Sequence, residues 1–222
     1  MSHHRIIHLV DDEEAIRKSV GFMLKTAGFK VVAYASGVEF LKVVRSADPG
    51  CILLDIRMPE MDGLEVQAAL AQRGISMPVI VLTGHGDVSF AVRAMRAGAV
   101  DFLEKPFEKA ALLKAIDEGF SNLDNADARS VGASEAAVRI AALTARERDV
   151  LVGLANGYPN KTIAYDLGIS ARTVEVHRAN LMVKLGASSL SEVLRIAFAA
   201  GLGARDDEAR DQPRPGNKVQ GE

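Results

Sequence analysis

The sequence predicts an α/β domain built on a five-stranded parallel sheet, followed by a small all-α domain of four helices. Three observations predict this. Short apolar runs alternate with amphipathic stretches through the first half of the chain. From Thr144 onward the spacing is helical throughout, with no strand-like run. The length, 222 residues, suits one domain of ~120 residues and one of ~60.

Strands are expected at Arg5–Val10, Lys30–Tyr34, Gly50–Asp55, Pro78–Leu82 and Val100–Leu103. Each is too short and too continuously apolar for an amphipathic helix. Between them, residues such as Ile16, Val20, Met23 and Leu24 recur at helical spacing, and Gly28, Gly74 and Gly98 stand where left-handed C-terminal caps belong. Strand–helix alternation with right-handed crossovers gives a parallel sheet covered on both faces. Residues 122–139 are rich in Ala, Asp and Ser and read as a linker with helical character. Thr144-Ala-Arg-Glu147 fits a capping box, a hydroxyl at the N-cap and a carboxylate three residues on. Helices are expected near 145–156, 161–167, 171–185 and 189–200. The tail, 204–222, is charged and holds Pro and Gly, so it reads as disordered.

Apolar residues make up 48% of the chain and charged residues 25%, enough to bury a core and to exclude wholesale disorder. No run of about 18 apolar residues occurs, so no membrane-spanning helix is expected. The start, MSHHRIIHLV, lacks the apolar stretch of a secretory signal. The single cysteine, Cys51, sits in the run CILLD and reads as a buried thiol in a reducing compartment. A soluble cytoplasmic protein is expected. The five histidines show no paired metal-ligand spacing. The net charge of −2 hides an asymmetry: residues 1–121 carry 14 Lys/Arg against 16 Asp/Glu, residues 144–201 carry 7 against 5. The second block therefore admits nucleic acid as a partner.

In open α/β sheets, ligands sit outside the carboxyl ends of the strands. Here the first strand runs into Asp11-Asp12-Glu13, the third ends in Asp55, the fourth runs into Thr83-Gly84, and Lys105-Pro106 follows the fifth. Any one such Asp serves equally well as a helix N-cap, Asp12 among them, but a charged or hydroxyl residue at four of five strand ends points to one pocket. Clustered carboxylates repel one another, and a hard divalent cation, Mg²⁺, relieves this. With a hydroxyl and an ammonium group beside them, they form an apparatus for phosphoryl transfer in which Asp55 is the nucleophile. No G-x-G-x-x-G follows the first strand and no G-x-x-x-x-G-K-[ST] occurs, which disfavours dinucleotide and P-loop chemistry.

The segments HLVDDEE, LLDIRMPEMDGLE, VIVLTGHGD and AGAVDFLEKPF together resemble the receiver domain of two-component response regulators, here residues 1–121. The resemblance implies a flavodoxin/CheY-like fold with Asp55 as phosphoacceptor. Asp11, Asp12, Asp55 and the Arg57 backbone carbonyl would hold Mg²⁺. Thr83 and Phe102 would form the coupled switch pair, Lys105 would bind the phosphate, and the Lys105–Pro106 bond would be cis. Phe102 stands where some members have Tyr. Arg57 and His85, each two residues past a site residue, are expected to tune the lifetime of the acyl phosphate.

The second block has a helix-turn-helix pattern. Asn160 is expected to cap one short helix, Gly168 to make the turn and Ser170 to cap the next; Val174, Leu181 and Leu185 line one face of the second helix. Its opposite face carries Arg172, Thr173, Glu175, Val176, Arg178 and Ala179, suited to base edges. Lys161, Lys184 and Arg195 suit phosphate contacts. The segment LTARERDVL…NKTIAYDLGISARTVEVHRANLMVKLGA resembles LuxR/NarL-type output domains over residues 140–203, and the whole chain resembles FixJ-like transcription regulators. This implies a sensor histidine kinase, double-stranded DNA and RNA polymerase as partners. It also implies a homodimer formed on phosphorylation through helix four (about Asp87–Ala97, with Val88, Val92 and Met95) and strand five, and an oxygen- or redox-linked programme such as nitrogen fixation. Two rival readings stay open: a constitutive DNA-binding regulator with an inert receiver, and a phosphatase working through an aspartyl phosphate. The phosphatase would need a second acid two residues after Asp55, where Arg57 stands.

Overall fold

The computed structural model describes residues 5–84, 88–124 and 132–203. The expected tail, 204–222, and His85 lie outside the described residues. Strands β1 (Ile6–Val10), β2 (Lys30–Tyr34), β3 (Cys51–Asp55), β4 (Val79–Thr83) and β5 (Asp101–Glu104) form one parallel sheet in the order β2-β1-β3-β4-β5. Helices α1 (Glu14–Thr26), α2 (Gly37–Val43), α3 (Gly63–Gln72), α4 (Val88–Arg96) and α5 (Lys109–Asp124) make the crossovers. The central strands β3 and β4, CILLD and VIVLT, are buried at every position, whereas the edge strands β2 and β5 are only partly covered. Alternate residues feed two cores. Leu9, Leu53 and Ile80 pack with Leu24, Leu112 and Ile116 of α1 and α5. Ile52, Leu54 and Val81 pack with Phe40, Val66 and Val92 of α2, α3 and α4. Gly28, Gly74 and Gly98 all have positive φ, as expected of C-terminal caps, and Lys105–Pro106 is cis.

The register pairs Val10 with Leu54 and Asp55 with Leu82. The carboxyl ends of β1, β3 and β4 thus lie side by side, at the point where the strand order reverses. A capping box in which Asp62 and Glu65 exchange bonds of 2.8 Å starts α3 beside this edge. Gly63 lets the helix come that close: a Cβ there would lie 2.5 Å from the Asp55 carbonyl oxygen and 2.9 Å from the Ile56 Cα.

Five helices make the second domain: α6 (Ala133–Ala141), α7 (Ala145–Ala155), α8 (Asn160–Leu167), α9 (Ala171–Leu185) and α10 (Leu190–Ala199). The last four match the sequence expectation. The first lies where the sequence reads as linker, and it buries Ala136 and Ile140 in the common core. The capping box at Thr144 and Glu147 forms, as does the Ser170 cap on Thr173 N at 3.0 Å. Gly168 and Gly186 end α8 and α9 in the left-handed conformation. One expected cap does not form, and the cap that Asp12 offered as the alternative reading does not form either. Pro159 is the N-cap of α8, and Asn160 Oδ1 instead accepts from Arg178 Nη1 at 3.0 Å. Asp12 caps nothing: Glu13 is the N-cap of α1, and its backbone N donates to Asp11 Oδ1 at 2.9 Å.

The second domain lies against α4, β5 and α5 of the first. Helix α10 packs on α4, and Val92 and Met95 are buried. Arg96 Nη2 donates to the Ala155 carbonyl at 2.6 Å and its guanidinium sits 5.5 Å from the Phe198 ring centroid. Arg195 donates to the Val100 carbonyl at 2.5 Å and pairs with Glu118 at 3.6 Å. Lys114 reaches Ser188 Oγ at 2.5 Å, and Ser191 bonds the buried Asp101 carboxylate. Gly157, at φ 75°, sits where a Cβ would meet the Ser89 Cα at 3.0 Å.

Because the group facing Gly63 is backbone that cannot swing aside, Gly63→Ala is expected to cost about 1–3 kcal/mol. A urea midpoint equal to that of the unaltered protein would contradict this.

Candidate functional site

Asp11, at the end of β1, is fully buried, and Asp55, at the end of β3, is 5% exposed. Lys105, delivered by the turn after β5, bridges them: its Nζ lies 2.7 Å from Asp11 Oδ2 and 2.7 Å from Asp55 Oδ1, with Glu13 Oε1 at 4.0 Å. Burial pushes the Asp55 carboxyl up to about 6; Lys105 opposes this, and the nearby Asp11 and Asp12 charges add to it. Burial works against the Lys105 charge, but the two carboxylates outweigh it and hold its pKa above the usual lysine value. Asp12, the next residue after Asp11, is exposed, and its charge acts on Asp55. Thr83, buried at the end of β4, accepts the Lys105 backbone N–H on its carbonyl at 2.8 Å. Phe102 pairs in register with Val81 and is half-buried against the α2–α4 core. Arg57, exposed, follows β3. The structure thus gathers Asp11, Asp55, Lys105 and Thr83 at one sheet edge, with Phe102 two residues before the end of the neighbouring strand.

The two buried carboxylate oxygens share one ammonium, so they are at most twice 2.7 Å apart. Among the described residues no three His, Cys, Asp or Glu side chains form a ready-made metal cage. That donor set fits Mg²⁺, which takes one or two carboxylates and keeps several waters. His8, in contrast, is a core residue: Nε2 donates to the Asp48 carbonyl at 2.9 Å, which leaves Nδ1 to accept from the Tyr34 hydroxyl at 3.3 Å.

In the second domain, α8 and α9 form the helix-turn-helix. Lys161, Arg172, Glu175, Val176 and Ala179 are exposed, Arg172 and Glu175 pairing at 3.8 Å. Thr173 is half-buried, its hydroxyl 2.8 Å from Ser170 Oγ. Three other expected DNA contacts are engaged within the chain. Arg178 is held by Asn160; burial works against its charge, and Glu175 together with Glu104 of β5 works for it. Lys184 forms a 2.7 Å ion pair with the buried Glu147. Arg195 belongs to the contact with the first domain. These roles escape sequence reasoning because each partner is remote in the chain. It also misses Arg17, whose guanidinium Nη1 donates to the Asp11 carbonyl at 2.7 Å.

The family model of the response regulator receiver domain matches residues 7–117, and that of bacterial regulatory proteins of the luxR family matches residues 141–197. The chain belongs to the two-component response regulators that carry a LuxR-type DNA-binding domain. Within that family it is FixJ-like. It is 49% identical over 201 residues to the transcriptional regulatory protein FixJ of Azorhizobium caulinodans, covering 90% of this chain and 95% of that one. It is 48% identical to FixJ of Rhizobium meliloti, over 89% of this chain and 97% of that one. A crystal structure of full-length FixJ from B. japonicum is similar at a TM-score of 0.54 and 43% identity, covering 89% of this chain and 97% of that chain. The crystal structure of FixJ-N, 45% identical, covers only 54% of this chain and 95% of its own, yet reaches 0.52.

Lys184 first, then the Thr144 backbone, hold the Glu147 carboxyl down to about 2. A depressed carboxyl stabilises the fold above its unfolded value near 4.5 and stops doing so as pH falls through the folded value. The DNA-binding domain should therefore lose urea resistance between about pH 4.5 and pH 2, and Glu147→Gln should flatten that part of the profile. A profile identical in the variant would contradict the assignment.

Proposed function

We propose that Asp55 accepts a phosphoryl group from the phosphohistidine of a sensor histidine kinase, and that the phosphorylated chain pairs with a second copy and activates transcription from double-stranded DNA. The observation that carries this reading is the Lys105 bridge between Asp55 and Asp11 at one sheet edge, in a chain whose α4–β5 face holds a helix-turn-helix domain. A carboxylate oxygen of Asp55 attacks phosphorus; the phosphorus–nitrogen bond breaks, and the imidazole leaves with that electron pair and takes up a proton. Lys105 turns from the Asp55 carboxylate to the arriving phosphate oxygens. Asp11, Asp12, Asp55 and the Arg57 carbonyl would hold Mg²⁺, which when bound neutralises charge on the transferring group.

The Thr83 hydroxyl donates to the phosphate and draws back from the core, and the Phe102 ring fills the space. Both adjoin the face of α4 and β5. That face, with Val92 and Met95, is also the surface for the second copy, and here α10 covers it. Pairing therefore requires the DNA-binding domain to leave. The phosphate acts through its different affinity for the two arrangements, a bias of about 1–3 kcal/mol. Two DNA-binding domains then sit on an inverted repeat and recruit RNA polymerase. Such a chain works in the cytoplasm; among the described residues no helix is long and apolar enough to cross a membrane. Identity of 43–49% to FixJ proteins, against 38–41% to the relatives named TodT and TtrR, favours an oxygen- or redox-linked programme such as nitrogen fixation.

Beryllofluoride with Mg²⁺ is expected to convert monomer to dimer in sedimentation and to tighten binding to operator DNA. Equal behaviour of Asp55→Asn would overturn the reading in favour of an inert receiver. Arg96→Ala with Arg195→Ala, which loosens the domain contact, is expected to tighten DNA binding about 5–150-fold without any phosphoryl analogue. Fluorescence anisotropy showing no change would remove the release step.

A further inference from the structure

We infer that Arg17 is a positioning residue for the cation-binding carboxylates: its guanidinium holds the Asp11 peptide carbonyl and so sets the direction in which Asp11 and Asp12 leave strand β1. The inference rests on the reading of these two residues as Mg²⁺ ligands.

Every polar atom of Asp11 is engaged. Its backbone N donates to the Tyr34 carbonyl at 3.3 Å. Oδ1 accepts from Glu13 N at 2.9 Å and Oδ2 from Lys105 Nζ at 2.7 Å. Its carbonyl accepts from Arg17 Nη1 at 2.7 Å. Asp11 is fully buried, so this carbonyl has no access to water in its present orientation. The bend from β1 into α1 is closed from both sides. From the strand side, the Asp11 carboxylate takes the N–H of Glu13. From the helix side, Arg17 N donates to the Glu13 carbonyl at 3.0 Å while the Arg17 guanidinium reaches back to Asp11. The α1 N-cap, Glu13, makes no side-chain capping bond, so no conventional cap shares this task.

Asp12 lies between the two clasped peptides. Its carboxylate is exposed, and its direction is set by the backbone on either side rather than by packing. Loss of the Arg17 donor would leave a buried carbonyl unpaired, and the peptide joining Asp11 to Asp12 would turn toward water. Both carboxylates would move with it. Arg17 thus acts on the cation through the backbone of its ligands, in the way outer residues orient metal ligands elsewhere, where their loss lowers metal affinity about 10–100-fold.

The test is calorimetric titration of the full chain with Mg²⁺ alone, with urea midpoints measured in parallel. Arg17→Met is expected to weaken Mg²⁺ binding by about 10–100-fold. Arg17→Lys, which keeps the charge and a donor, should recover most of that loss. Arg5→Met is the control for stability. It removes a 2.7 Å ion pair with Asp117, beside the opposite end of β1, and should leave Mg²⁺ affinity unchanged. Unchanged Mg²⁺ affinity in Arg17→Met overturns the inference, as does an affinity that simply follows the urea midpoint across all four proteins. Unaltered protein that binds no Mg²⁺ overturns the metal site itself, and this inference with it.

Discussion

Two buried carboxylates at adjacent strand ends share one ammonium group, and the rest of the molecule is arranged around that shortage of positive charge. Asp11 and Asp55 are carried out of water by the sheet, and Lys105 is the cation that reaches both. Removing one partner from such a buried ionic cluster typically costs about 3–5 kcal/mol, so the three residues fix one another. The raised Asp55 carboxyl shows that one ammonium does not fully offset the burial and the neighbouring charges. A site left short of positive charge favours a second cation. Under the proposed phosphoryl transfer, that cation and Lys105 would together hold the acyl phosphate formed on Asp55.

Strand β5 links this chemistry to the DNA-binding domain. Lys105 immediately follows it. Glu104, its last residue, lies within electrostatic reach of Arg178 on α9, and Asp101, its first, is bonded by Ser191 of α10. On the proposed phosphorylation, a shift of β5 would disturb contacts to both helices at once. Helix α4 completes the coupling. Val92 and Met95 are buried in a core that continues into the second domain, and Arg96 spans to Ala155 and Phe198. A continuous core of this kind has few intermediate packings, which suits a two-state switch better than a graded one.

Much of the site was legible in the sequence because strand ends are written locally. Apolar runs stop abruptly in Asp11, Asp55 and Thr83, and a parallel sheet brings such ends together whatever the details of packing. The Thr144–Glu147 capping box and the glycine caps are local in the same sense, and all formed. The features that were not legible depend on partners far away in the chain. Asn160 looked like a helix cap but serves Arg178. Lys184 and Arg195, read as phosphate contacts, also pair with Glu147 and Glu118, which the local sequence does not show. The helical character of the Ala-rich stretch was legible, but that α6 packs into the core was not, because its apolar face has meaning only once α9 and α10 are there to cover it. Arg17 carries no motif, and only the bend between β1 and α1 shows why its side chain turns back.

The central claim is that Asp55 is a nucleophile toward phosphorus, and intact-mass spectrometry tests it most directly. After incubation with Mg²⁺ and a small acyl phosphate donor, the chain should carry one phosphoryl group. That group should be lost on hydroxylamine treatment, map to Asp55, and be absent when Mg²⁺ is chelated. Protein that acquires no adduct, or an adduct that survives replacement of Asp55 by Asn, would contradict the account.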